Sequence, residues 1–256
     1  MRGMKAFGIA AGALLLASCG GGGGGSGGSV VSPLPGSQAQ GLYQGTNNYG
    51  YALTSVILEN GNFYNITSGG GQALTVDFGN VAAVNYLLTG TSSEYTVTTN
   101  ALLTAGILVG QYLPQGAMTA TIEYNVTNIF LAQYTSFSSN YLTSYTTPAT
   151  LAALAGTYAA PYMYGQPTTT FAINASGAIT GTSPNCAISG SATPRASGMN
   201  VYDVTLTLTG ANCIPAGVGT ATGVAFMDTP NGVNTLYVVT FNSAGTAGFV
   251  WLAPKQ

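Results

Sequence analysis

Tyr51-Ala-Leu-Thr-Ser-Val-Ile-Leu-Glu59, followed by Asn60-Gly61 and then Asn62-Phe-Tyr-Asn-Ile-Thr67, decides how the rest of the chain reads. Both flanks are rich in β-branched and aromatic residues, which suit a pleated, half-buried surface. Asn-Gly between two such runs is the strongest short hairpin signal, because both turn positions must accept positive φ. The stretch predicts two antiparallel strands and a tight turn.

Working outward, the same pattern recurs. Candidate strands follow at Ala73–Phe78, Val81–Thr89, Glu94–Thr98, Ala117–Asn125 and Ile129–Thr135, with Ala101–Leu113 open between strand and loop. Thr147-Pro148 then precedes Ala149-Thr-Leu-Ala-Ala-Leu-Ala155 and Gly156. A Thr N-cap, a Pro at the first position and a Gly at the end predict a short helix. After it, strand patterns resume at Thr168–Asn174, Ala178–Thr182, Cys186–Ala192, Asn200–Thr209, Gly219–Asp228, Val233–Asn242 and Ala247–Ala253, with Ser176-Gly177 and Asn231-Gly232 as turns. Many short strands with regular turn signals predict an all-β chain.

Two halves are expected. Gly41-Leu42-Tyr43 matches Gly156-Thr157-Tyr158, and Asn60-Gly61-Asn62-Phe63 matches Ser176-Gly177-Ala178-Ile179, at nearly one offset. This gives two small antiparallel β-barrel or sandwich units, 41–146 and 156–256, joined by the helix in 147–155. One continuous sandwich or barrel is the alternative.

Ahead of residue 41 the chain changes character. Arg2 and Lys5 flank an apolar run, Ala6–Leu16, and Leu16-Ala17-Ser18-Cys19 follows. The run is short of the roughly 20 residues that span a bilayer, and it has the layout of a secretory signal. Leu-Ala-Ser-Cys resembles the bacterial lipobox. It implies a signal peptide over 1–18, a diacylglycerol thioether on Cys19 and several acyl chains. At ~0.8 kcal/mol per buried methylene, more than one chain anchors stably. Gly20 in place of Asp favours the outer membrane. Segment 19–40 is Gly- and Ser-rich and reads as a tether; its 21 residues after Cys19 span about 25 Å as a coil.

Charge and cysteine use narrow the function. The chain has four Lys or Arg, six Asp or Glu and no His. Past the signal the basic residues are Arg195 and Lys255, too few to neutralise a nucleic acid. Without His there is no Ser-His-Asp or Cys-His centre. With Cys19 assigned to lipid, Cys186 and Cys213 are left in an oxidising compartment and are expected to form a disulfide, or else remain two buried thiols. No cofactor or metal site is expected.

The lipobox, the Gly-rich tether, the opening Gly41-Leu-Tyr-Gln-Gly-Thr46, the segment Thr150–Tyr158 and the Cys-bearing terminal unit together resemble a group of proteobacterial surface-type lipoproteins. More distantly, the chain is similar to the β-barrel modules of transferrin-binding protein B and factor H-binding protein. The resemblance implies lipid-anchored eight-stranded barrels that present loops to a host protein. Those families are generally rich in Lys and Glu, and no binding residue carries over.

Of the acids, Glu59, Glu123 and Asp203 are the candidates for catalysis, and the spacing brings no two together. Tyrosine is the more suggestive feature. Tyr134, Tyr141 and Tyr145 precede the helix and Tyr162 and Tyr164 follow it; they form either a recognition surface or the filling of a barrel or interdomain seam. The leading expectation is a non-catalytic outer-membrane lipoprotein, at the cell surface or facing the periplasm, that binds a host or envelope protein or a neutral glycan. A lipocalin-like carrier of a small apolar ligand and a structural envelope role are the alternatives.

Overall fold

The computed structural model describes residues 38–125, 134–161, 168–183, 186–210 and 219–256. The first eight strands form a closed antiparallel barrel. They are β1 Gly41–Asn47, β2 Ala52–Ile57, β3 Asn62–Gly69, β4 Gln72–Val84, β5 Leu87–Thr96, β6 Ala101–Tyr112, β7 Ala117–Tyr124 and β8 Tyr134–Tyr141. Each strand pairs with the next, and β8 returns to β1 from Tyr43↔Tyr141 to Asn47↔Phe137.

Eight more strands form a second meander: β9 Gly156–Pro161, β10 Thr168–Ile173, β11 Ala178–Ser183, β12 Cys186–Pro194, β13 Tyr202–Thr209, β14 Thr220–Asp228, β15 Thr235–Phe241 and β16 Gly248–Pro254. It curls until the chain end meets β9, where Tyr158 bridges Lys255 and Gln256 N donates to Thr157 O at 2.9 Å. The chain is therefore all-β, with two eight-stranded barrel-like sheets and a short helix between them.

Several elements differ from the sequence reading. The helix α1 is one turn, Leu151–Leu154, rather than the longer segment from Pro148, and its N-cap is Thr150, whose Oγ1 accepts from Ala153 N. Thr147 is extended and caps nothing there. The stretch Ala101–Leu113 is strand up to Tyr112, as β6. Val81–Thr89 is not one strand: β4 runs straight through Gly79-Asn80, and the chain turns at Asn85-Tyr86. Gly79 is required inside β4 because a Cβ would lie 2.0 Å from Thr91 O. At the turn, Asn85 and Tyr86 hold φ of 50° and 67°, a conformation that costs a Tyr about 1 kcal/mol. Ile129–Gln133 lies outside the described residues.

The two sheets share a hydrogen-bonding feature at corresponding turns. Gly61 and Gly177 have φ of 85° and 82° in matching β2–β3 and β10–β11 turns. Their carbonyls each accept from the next hairpin, from Val81 N and Ala192 N, both at 2.8 Å.

Side-chain alternation sorts most strands cleanly. In β7 and β10 buried and exposed residues alternate, as one face meets a lumen and the other water. Strand β15, Thr-Leu-Tyr-Val-Val-Thr-Phe, is buried at every position. Its inner face fills the second barrel, where Leu236 and Val238 join Phe171, Leu206 and Trp251. Its outer face packs on the first barrel: Tyr237, Val239 and Phe241 share a core with Leu42, Val56, Ile66 and Val76.

Phe78 stacks on Phe241 at 4.1 Å between ring centres, and Tyr95 meets Phe241 edge-on at 5.2 Å. Tyr95 Oη also donates to Gly248 O and accepts from Gly248 N, each at 3.2 Å. Arg195 closes one margin of this seam, contacting Glu59 across it at 2.9 Å and Asp203 on its own barrel.

Candidate functional site

In barrel 1, alternate connections gather at two ends. Chain entry and the β2–β3, β4–β5 and β6–β7 turns share one end, which is plugged. Tyr43 Oη donates to Ala39 O at 2.8 Å, Tyr112 Oη donates to Gln38 Oε1 at 2.9 Å, and both rings are buried. The other end is open. There a cleft of about 500 Å³ is lined by Asn47, Tyr49, Tyr51, Thr67, Thr75 and Glu94, with Leu74, Leu103, Thr104, Tyr124 and Thr135 completing the wall.

The β1–β2 loop holds two tyrosines at the rim. Asn47 Oδ1 accepts from Tyr49 N and Tyr51 N, both at 3.0 Å, in the local bonding expected of an Asn at a turn. Asn48 pins the loop to β8 by giving its N–H to Ser136 O and accepting from Ser136 N. Tyr49 Oη reaches Tyr134 O at 3.2 Å. The rings are thus about half exposed on a backbone that is already fixed.

Below the rim lies a polar girdle. Ser55, Asn65, Asp77 and Glu94 are successive cross-strand partners on β2, β3, β4 and β5, so their side chains share the inner face. Ser55 Oγ donates to Asn65 Oδ1, Asn65 Nδ2 donates to Asp77 Oδ2 at 3.5 Å, and Tyr124 Oη donates to Asp77 Oδ1 at 2.8 Å. Asp77 is 1% exposed. Burial, and next the charge of Glu94, push its carboxyl up to about 7 against the opposing hydrogen bonds from Tyr124 and Asn65. Burial also raises Glu94. Tyr124 is pushed far up by its own burial and by the facing carboxylates Asp77 and Glu94, so it remains a donor.

This corrects the reading that no two acids come together. Asp77 and Glu94 each lie eight residues out from the Asn85-Tyr86 turn and therefore face each other across the hairpin. A reader who placed the turn would have found the pair. Of the three acids singled out instead, two meet on one guanidinium and the third stands apart. Glu59 and Asp203 hold Arg195, and Glu123 is on the outer face of β7 opposite Ile107.

The tyrosine set is also divided. Tyr134 is 52% exposed beside the mouth. Tyr141 is at the opposite end of β8, packed edge-on against Tyr43 at 5.6 Å and Tyr145 at 6.3 Å. Tyr145 is 1% exposed in the seam between barrels, so it is core and not a recognition residue. Tyr49 and Tyr51, not singled out from the sequence, occupy the rim. Tyr162, Tyr164, Cys19 and Cys213 lie outside the described residues; Cys186 opens β12, buried against the second core.

Barrel 1 below the girdle is filled. The remaining space among Ile57, Phe63, Leu88, Leu108 and Phe137 is about 10 Å³, close to the minimum for one water. Among the described residues no cluster of three or more acids, Cys or His could hold a metal. Searches against family models, curated proteins and solved structures find no match to this chain.

Proposed function

We propose that this chain is a lipid-anchored, non-catalytic binding protein of the outer membrane whose recognition site is the open mouth of barrel 1, and that its ligand is a neutral oligosaccharide. The observation that carries this reading is the 500 Å³ cleft with Tyr49 and Tyr51 at its rim and Glu94 in its wall. A volume of that order is typical of small-molecule sites. Tyrosine faces offer rigid apolar area to the C–H face of a sugar; Tyr49 Oη donates to Tyr134 O and keeps its acceptor capacity for the polar edge. Thr67, Thr75, Thr104 and the Glu94 carboxyl supply hydrogen-bonding groups suited to sugar hydroxyls.

Charge favours a neutral ligand. Arg195 is held by Glu59 and Asp203, and Lys255 Nζ donates to Ala153 O in the second barrel, so neither cation serves the mouth. An anion would meet Glu94 with no counter-charge. The space of about 10 Å³ below the girdle disfavours a lipocalin-type apolar ligand held deep in the lumen. Asp77 is absent from the cleft lining, which disfavours the pair as an acid and base acting on one substrate. Anchoring at Cys19 follows from the lipobox, and protease shaving of intact cells separates an outward from a periplasmic orientation.

The test is a neutral-glycan array probed with the mature chain, followed by calorimetry on the best binder. Tyr51→Ala and Glu94→Gln are expected to weaken binding about tenfold each, near 1.4 kcal/mol. Unchanged affinity in both variants would sink the site, and release of shortened sugar would overturn the non-catalytic reading. Binding to proteins alone, with no glycan, would favour a host or envelope protein as partner.

A further inference from the structure

The plugged end of barrel 1 carries an apolar surface that the proposed binding site does not use. Val84, Tyr86, Leu87, Val109 and Leu113 each leave more than half of their surface in water. Val84 and Leu87 are cross-strand partners on the outer face beside the β4–β5 turn, with Val109 one strand over. Tyr86 and Leu113 stand at the tips of the β4–β5 and β6–β7 turns. Segments 81–91 and 106–121 contain no Asp, Glu, Lys or Arg.

Tyr86 is presented at positive φ, where Gly would make the same turn without strain. Its carbonyl accepts from Tyr112 N at 3.0 Å, and its ring lies 6.3 Å from that of Tyr112. Tyr112 in turn holds Gln38. The apolar tips are therefore built onto the end at which the N-terminal segment enters the barrel. From Cys19 to Gln38 there are 18 intervening residues, a chain length whose reach is at most about 65 Å. The far side of the barrel faces the seam with barrel 2 and is covered.

We infer that this end of barrel 1 rests on the bilayer surface, with Tyr86, Leu87 and Leu113 inserted at the headgroup boundary, so that the tether and the patch together aim the open mouth away from the membrane. The inference rests on the reading of Cys19 as the lipid anchor. Exposed clusters of large apolar side chains mark interaction surfaces, and an aromatic ring with aliphatic neighbours suits the membrane interface. The absence of basic residues at these tips specifies a neutral zwitterionic surface rather than attraction to anionic lipid.

The experiment places a fluorophore at Pro114→Cys beside the patch or at Thr99→Cys in a mouth turn. The mature protein is reconstituted in phosphatidylcholine vesicles containing headgroup-nitroxide lipid. Several-fold stronger quenching at position 114 than at 99 is expected; equal quenching, or the reverse, overturns the inference. A triple variant, Tyr86→Ser, Leu87→Ser and Leu113→Ser, should remain on the vesicles yet lose the difference. Persistence of the difference in that variant also overturns it. Anchoring is read separately, by intact mass for the lipid on Cys19. Should that mass be absent, a hexahistidine at position 19 on nickel-chelating lipid restores the same tether, and the same asymmetry decides the patch.

Discussion

Tyr43 and Tyr158 occupy the same place in two barrels. Each stands third in its opening strand, each is fully buried, and each donates its hydroxyl to the carbonyl four residues upstream, Ala39 or Leu154. From that shared start the interiors diverge. Barrel 2 is filled by Phe171, Leu206, Val238, Phe249 and Trp251, with Thr169 and Thr240 among its few buried polar residues. Barrel 1 buries Ser55, Asn65, Asp77, Ser92 and Ser139 and keeps one end open. One plan thus yields an apolar plug and a polar cup. Burying a carboxyl costs free energy that apolar packing would not, and such costs concentrate at working sites.

The largest test of this division is to separate the halves. If the seam of Phe78, Tyr95, Tyr237 and Phe241 belongs to both barrels, 41–146 and 148–256 expressed alone should each lose cooperative unfolding in calorimetry. Two sharp independent transitions would instead make them self-sufficient domains. Within the whole chain, Phe241→Ala should cost about 4 kcal/mol by chemical denaturation, because it removes the barrel 2 ring that Phe78 and Tyr95 of barrel 1 pack against. A loss under 1 kcal/mol would mean the seam is incidental. Confined to barrel 2, Cys213→Ala should cost roughly 3.5 kcal/mol if the expected bridge to Cys186 closes its 28-residue loop; unchanged stability argues against the bridge.

A subtler effect belongs to barrel 1 alone. Asp77 is held near 7 in the folded chain against an ordinary carboxyl near 4. Between those values the folded state holds a proton that the unfolded state has released. Its contribution is fully present below pH 4 and fades as pH rises through 7, by roughly 4 kcal/mol in all. Glu94, raised as well, acts in the same direction. Asp77→Asn, which can keep accepting from Tyr124, should flatten that slope and be more stable than wild type at pH 8 but not at pH 4. A wild-type stability that is flat or rising from pH 5 to 8 would contradict a protonated acid in the cup.

What the sequence disclosed follows the strength of local signals. Asn60-Gly61 and Ser176-Gly177 announced their hairpins, and period-two alternation announced β7 and β10, so the class and the two-unit plan were legible. Asn85-Tyr86 was not, because a Tyr at positive φ breaks the propensity rule, and Gly79 imitated a turn while serving a close approach to Thr91 O. That single misplacement concealed the Asp77–Glu94 pair, since register depends on the turn. Tyr145 and Tyr141 were visible as tyrosines, yet burial depends on the seam, which no local pattern encodes. The continuous run in β15 was legible as strand, but its second buried face requires a partner barrel.

Hydrogen exchange on the mature chain, with and without its best-binding neutral oligosaccharide, tests the central claim most directly. The account predicts new protection at 47–51, 67–75, 103–104 and 134–136 around the mouth of barrel 1, with barrel 2 unchanged. Protection confined to barrel 2 or to the plugged end would contradict it.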